Sequence, residues 1–247
     1  MTSYMGYRFS YPSRSEIGRA VSKGVVWDRP LQALVGGLRA GDVVCDVGSN
    51  LGASLLTMCQ QRPDLTFVCF EGSPRFMPYL TRNVTENGLE RRVEVHHALI
   101  GPDSTRWTLS SDVTSGSVAL ENRLRRRLLF QERLESTSLD RWFAARVPPA
   151  LLKIDTDGFE YQVLSSAATL LGRRRPSMFI EYCPSLLSEV GDSAEELMTL
   201  LTDAGYSEAD VYSPTGTLLK AAVPLHDVDL GRYPYVDLAI PGDPGNP

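Results

Sequence analysis

From residue 42 onward, short apolar runs alternate with longer stretches in which apolar residues recur every three or four positions. That rhythm predicts βαβ units around a parallel sheet. The first strand covers 43–46, and a helix opens near Leu51. The apolar run 65–70 is the second strand, after which Pro74 opens a helix through Leu80 and Val84 that stops at Asn87-Gly88. A third strand covers 93–99 and ends at Gly101-Pro102-Asp103. The rhythm then breaks, with a short strand at 107–110, a polar loop at 111–116 and a charged, helical stretch at 121–134. It resumes with strand 151–155, a helix over 159–171, strand 177–181 after Pro176, and an amphipathic helix over 193–204 capped by Gly205. Beyond it, 206–212, 217–221 and 235–240 are strands separated by turn residues, the pattern of an antiparallel edge.

Composition narrows this picture. A chain of 247 residues with 43% hydrophobic and 22% charged residues suits one α/β domain over 41–240, preceded by a helical or lid-like extension over 1–40 on the substrate side. The tail 241–247, rich in Pro and Gly, is expected to be disordered. A net charge of -5 gives no footprint for nucleic acid, although arginines cluster at 123–127 and 173–175 and read as solvated helix ends. Cys45, Cys59, Cys69 and Cys183 lack disulfide or zinc spacing and read as buried thiols. The N-terminus lacks the basic-then-apolar order of a signal peptide, and no apolar stretch approaches the ~20 residues that span a bilayer, so a cytoplasmic location is expected.

Three clusters carry chemistry. In Asp46-Val-Gly48-Ser49-Asn50-Leu-Gly52, Gly48 allows a sharp turn and close ligand approach, Gly52 allows close helix packing, and Ser49 and Asn50 present amides at a helix start. The turn has one glycine fewer than the dinucleotide fingerprint, and Asp46 repels phosphate while attracting ammonium. A ligand with an adenosine end and a cationic amino-acid end therefore fits better than NAD. Glu71 ends the second strand, where a carboxylate accepts both ribose hydroxyls, and Gly72 and Ser73 turn beside the same sugar. Ala98 and Leu99 line the adenine pocket. His96 and His97 point to opposite faces of a strand and so cannot chelate one ion. In Lys153-Ile-Asp155-Thr-Asp157-Gly-Phe-Glu160, Lys153 and Asp155 share a strand face, the spacing of an ion pair. Asp155 alternatively holds the ligand's amine or takes a proton from an acceptor hydroxyl. Asp157, Glu160 and Glu181 offer oxygen ligands to a Mg²⁺ ion as a further alternative.

Asp46 to Gly52, Phe70-Glu71-Gly-Ser-Pro74, Ser138-Leu-Asp140, Leu152 to Glu160 and Phe179-Ile-Glu181 together resemble the FkbM-type family of S-adenosylmethionine-dependent methyltransferases. The resemblance spans about 41–240. The stretch 152–160 is its most particular motif, with Asp157 standing where the family has glutamate. It implies a doubly wound, Rossmann-like, seven-stranded, mostly parallel sheet with an antiparallel C-terminal edge strand and helices on both faces. It implies S-adenosyl-L-methionine as cofactor and O-methylation of a hydroxyl on a small molecule, sugar or glycolipid. Ser115-Gly-Ser117 matches a family loop, so Ser117 is expected near the cofactor, and Asp155 is the first candidate for catalysis. Trp27 and Asp28 are expected over the methionine end, with 4–11 as part of a lid. Other readings are Mg²⁺-assisted methylation through Asp155, Asp157 and Glu181, an NAD(P)-dependent oxidoreductase, and a cofactor-binding domain without catalysis.

Overall fold

A computed structural model of the chain describes residues 1–111, 118–120 and 131–243. At its centre, eight strands form one sheet: β1 (Val43–Val47), β2 (Thr66–Glu71), β3 (Val93–His97), β4 (Leu151–Ile154), β5 (Ser177–Tyr182), β6 (Glu208–Tyr212), β7 (Leu218–Pro224) and β8 (Val236–Ile240). Their spatial order is β7-β6-β8-β5-β4-β1-β2-β3. The five strands from β3 to β5 in that order run parallel, and β8 is antiparallel to both its neighbours. Chain order reverses between β1 and β4, and at such a switch point the loops diverge and leave a crevice.

The family resemblance implies seven strands with the antiparallel strand at the edge. The structure has eight, and two are antiparallel: β7 at the edge and β8 inside the sheet. A turn in which Gly216 N donates to Ser213 O at 2.8 Å pairs β6 with β7 as a hairpin, and β8 fills the slot between β5 and β6. Every residue of β8 is buried, as an interior strand requires.

Successive strand residues feed two cores. Cys45, Val47, Phe70, Leu152, Ile154 and Ile180 face one, with α5 (Leu139–Phe143), α6 (Glu160–Ser165), α7 (Ala168–Arg173), α8 (Pro184–Val190) and α9 (Ala194–Asp203). Val44, Phe67, Cys69, Leu151 and Phe179 face the other, with α1 (Glu16–Ser22), α2 (Leu31–Gly36), α3 (Ala53–Gln61) and α4 (Met77–Thr85). Each fully buried large apolar side chain here contributes roughly 1.5–3 kcal/mol. All four cysteines are buried and free. Among the described residues no helix is long and apolar enough to cross a membrane.

Several local expectations give way. The run 93–99 splits: β3 ends at His97, while Leu99–Ile100 pairs in parallel with the strand Gln131–Thr137 of a second sheet. Gln131–Thr137 also pairs antiparallel with Arg106–Ser111. The part of the expected helix 121–134 that is described is therefore strand, an instance of pairing overriding the helix propensity of Gln, Glu, Arg and Leu. The rest of that helix, most of the loop 111–116 and Ser117 lie outside the described residues, as does 244–247 of the tail. Two tail residues are held: Asp243 N donates to Arg175 O at 2.9 Å, and Gly242 N to Ser177 Oγ at 3.2 Å. The helix 159–171 is two helices broken at Ser166 and Ala167, and the helix after β2 starts at Met77 rather than at Pro74.

The first 36 residues begin with an antiparallel pair, Thr2–Tyr4 and Tyr7–Phe9, followed by α1 and α2. Tyr4 and Phe9 are buried in the core that holds α3 and α4. Asn83 Oδ1 accepts from Ser10 N at 2.6 Å, and Asn87 Oδ1 accepts from Arg8 N at 2.8 Å. These bonds tie the extension to α4 and to the turn that follows it.

Candidate active site

A cavity of about 200 Å³ opens where β1, β2 and β4 end, with α1 and Trp27 on its far side. Its floor is the turn after β1. Gly48 has φ +84, and a Cβ there would overlap the carbonyl oxygen of Asp155, so the turn lies directly against the end of β4. Gly48 N and Ser49 N both donate to Phe70 O at 3.0 Å, which ties the turn to β2 as well. The glycine is required by both its backbone angle and its neighbour.

Glu71 stands at one end of the cavity. Its Oε2 accepts from Asn50 N at 2.7 Å and its Oε1 from Ser73 N at 2.6 Å. Burial pushes its carboxyl up to about 7, against the lowering effect of those two amides. Each oxygen keeps a second lone pair for a ligand hydroxyl. Phe70, Ala98, Leu99 and Ile100 add an apolar wall beside it.

Charge concentrates at the other end. The Lys153 side chain is 2% exposed, and its Nζ donates to Gly48 O at 3.1 Å. It lies 3.2 Å from Asp155 Oδ2 and 3.3 Å from Asp46 Oδ1. Burial pulls the ammonium down, but Asp155, Asp46 and Asp28 outweigh it and hold Lys153 well above its ordinary value. Asp46 is fully buried, and burial raises its carboxyl even with Lys153 beside it. Asp155, with 31% of its side chain exposed, faces the cavity. Glu181 sits opposite Asp237 in the β5–β8 register. Burial, then Asp155, Asp157, Asp237 and Glu160, pushes Glu181 up to about 10. Below, Glu160 Oε1 accepts from Thr156 N, Thr156 Oγ1 and Gly158 N at 3.0, 3.0 and 3.2 Å, fixing the turn after β4.

Of the residues singled out in the sequence, Gly48, Ser49, Asn50, Glu71, Gly72, Ala98, Leu99 and Asp155 line this cavity. Asp46, Gly52 and Ser73 do not. Asp46 lies on the strand face behind the turn and meets Lys153 instead of open space, because the two are register partners on β1 and β4. Gly52, at φ +82, makes room for Leu80 of α4, and Ser73 contributes its amide to Glu71. Ser117 lies outside the described residues. His96 packs 4.5 Å from Trp142 while His97 Nε2 meets Gly72 O at 3.0 Å, so the two rings part as strand alternation requires. Among the described residues no three His, Cys, Asp or Glu side chains are grouped to hold a metal ion. Glu16, Ile17, Ser54 and Gln162 line the cavity without having been anticipated. No motif surrounds Glu16 or Ile17, whereas Gln162 falls two residues after the recognised 152–160 stretch.

The structure of methyltransferase FkbM from Methylobacillus flagellatus KT is similar at 16% identity and TM-score 0.50, covering 83% of this chain and 45% of that one. The chain thus spans less than half of that protein. Precorrin-6y C5,15-methyltransferase from Geobacter metallireducens GS-15 is similar at 9% identity and TM-score 0.46, over 86% of each chain. An O-methyltransferase family protein from Burkholderia thailandensis is similar at 15% identity and TM-score 0.46, over 86% of this chain and 55% of that one. No curated protein matches the sequence. The family model described as "Methyltransferase FkbM domain" matches residues 46–208, from Asp46 behind the turn to the start of β6. Two thirds of the chain, including both ends of the cavity, fall within that match, and the chain belongs to the FkbM methyltransferase domain family.

Proposed function

We propose that this chain is an S-adenosylmethionine-dependent O-methyltransferase acting on a hydroxyl of a small molecule, sugar or glycolipid. The observation that carries the reading is the polarity of the cavity. Glu71 stands at one end beside an apolar wall, and Asp155 stands with the buried Lys153–Asp46 pair at the other. The donor set fits a nucleoside bearing a cationic amino acid. A fixed carboxylate suits two ribose hydroxyls, the apolar wall suits a purine, and an excess of carboxylates suits positive charge. S-Adenosylmethionine, when bound, supplies a methyl group already activated by its sulfonium.

The chain's own residues then align and deprotonate. Glu71 holds the sugar, its two backbone donors keeping both oxygens in place. Lys153 holds Asp155 through the ion pair at 3.2 Å, its Nζ being shared among Gly48 O, Asp46 and Asp155. Asp155 takes the acceptor's hydroxyl proton at Oδ1 or Oδ2 as the new bond to oxygen forms. Alignment of this kind is worth up to ~7–11 kcal/mol in good intramolecular reactions. The metal-assisted alternative through Asp155, Asp157 and Glu181 is separated from this reading by the response to EDTA. The test is incubation with methyl-labelled S-adenosylmethionine and an extract of the producing organism, with and without EDTA. The reading expects label in a methoxy group in both arms. Label in N-methyl or C-methyl groups, or its loss with EDTA, would overturn it.

A further inference from the structure

We propose that Asp28, which precedes the matched methyltransferase region, is the carboxylate that receives the α-ammonium group of the cofactor's amino-acid end. This rests on the S-adenosylmethionine reading. Asp28 has φ +48, a conformation rare outside glycine but tolerated by Asp and Asn. Several bonds hold it there. Trp27 N donates to Tyr4 Oη at 2.8 Å, Thr57 Oγ1 donates to Trp27 O at 3.1 Å, and Leu31 N donates to Asp28 O at 3.0 Å. The Tyr4 hydroxyl also meets Thr57 Oγ1 at 2.6 Å, so the N-terminal hairpin, residue 27 and α3 are locked together.

Two of Asp28's neighbours, Trp27 and Ser54, line the cavity, and Ser54 Oγ donates to Asp28 Oδ2. Asp28 is not itself a lining residue; its carboxylate stands beside Ser54, one residue behind the wall of the cavity, within electrostatic reach of Lys153, Asp155 and Asp46. Lys153 is already taken by Gly48 O, Asp155 and Asp46. Among the described residues no cation lies within ion-pairing distance of Asp28, and one hydroxyl is the donor it has. A carboxylate has about four acceptor positions. Burial pushes it up to about 6, so it is still ionised near neutral pH and its unmet demand is for a cation. An ammonium entering between Trp27 and Ser54 meets that demand with a charge-assisted hydrogen bond.

The experiment is calorimetry at pH 8 with two probes, S-adenosylhomocysteine and 5′-methylthioadenosine, which lacks the amino-acid end. Asp28→Asn keeps the left-handed backbone and an oxygen for Ser54. It is expected to weaken S-adenosylhomocysteine about tenfold or more and to leave methylthioadenosine within about twofold. Equal losses for both probes would make Asp28 a structural tether, and an unchanged S-adenosylhomocysteine affinity would remove it from the site; either overturns the proposal. Glu71→Ala, expected to weaken both probes through the ribose, separates the two readings. If it does so while Asp28→Asn has no selective effect, the cofactor reading stands and this inference falls. If the wild-type protein binds neither probe, the cofactor reading falls as well.

Discussion

Replacing Lys153 with Met removes the cation that two aspartates share, and the outcome follows from how deeply each partner is buried. Asp46 is fully buried and has its counterion at 3.3 Å, whereas Asp155 has 31% of its side chain exposed and water to fall back on. The loss is therefore concentrated on Asp46. Breaking a buried pair by removing one partner costs about 3–5 kcal/mol. At ~2–4 °C per kcal/mol for a chain of this size, the melting temperature drops by roughly 6–20 °C. The pH dependence has a definite sign. Asp46 is already raised by burial, and without Lys153 it rises further above its unfolded value. A carboxyl with a raised folded pKa contributes its stability at low pH and loses it as pH climbs through that pKa. The deficit of Lys153→Met is thus largest at pH 8 and shrinks toward pH 5. Urea unfolding at both pH values reads this directly. Adding Asp46→Asn to Lys153→Met is expected to recover more than half of the loss at pH 8, because no unpaired charge is left to bury. A single variant losing under 1 kcal/mol at pH 8, or a deficit independent of pH, would mean that Asp46 does not depend on Lys153 as its counterion.

Other consequences are equally specific. Gly48→Ala places a methyl group on the Asp155 carbonyl at a φ that alanine disfavours, so thermal unfolding should show a large loss of stability, and near wild-type stability would mean the turn relaxes freely. Glu181, held up at about 10 by burial and its acidic neighbours, favours the folded state at low pH and progressively less from about pH 4.5 toward 10. Glu181→Gln removes that slope, so the variant should melt above wild type at pH 8 with a gain that shrinks toward pH 5. An equal gain at both pH values, or a loss at pH 8, would contradict the assigned protonation.

Local pattern made much of the fold legible. β1, β2, β4 and β5 appear as apolar runs because both faces of a central parallel sheet are buried, and Ser193 with Glu196 marks the start of α9 through a capping box. What pattern cannot carry is partner choice. The residues of β8 read equally well as edge or interior, and only the β6–β7 hairpin decides between them. Likewise Gln131–Thr137 has helix-forming residues whose strand state depends on Arg106–Ser111 and on Leu99–Ile100. In the site, Gly48, Glu71 and Asp155 were legible because turn geometry and strand ends dictate where such residues face. Asp46 does not line the cavity, and the sequence does not reveal that Lys153 is its register partner. Glu16 and Ile17 reach the cavity through the packing of α1, which no spacing rule encodes.

Glu71 and the charged end together are proposed to hold S-adenosylmethionine. Calorimetric titration of S-adenosylhomocysteine into the wild-type protein and into Glu71→Ala measures this binding. Saturable one-to-one binding to wild type is expected, with at least a tenfold loss in the variant, since a charge-assisted hydrogen bond is worth ~1.5–3 kcal/mol. Affinities within twofold of each other, or NADH binding in place of S-adenosylhomocysteine, would contradict it.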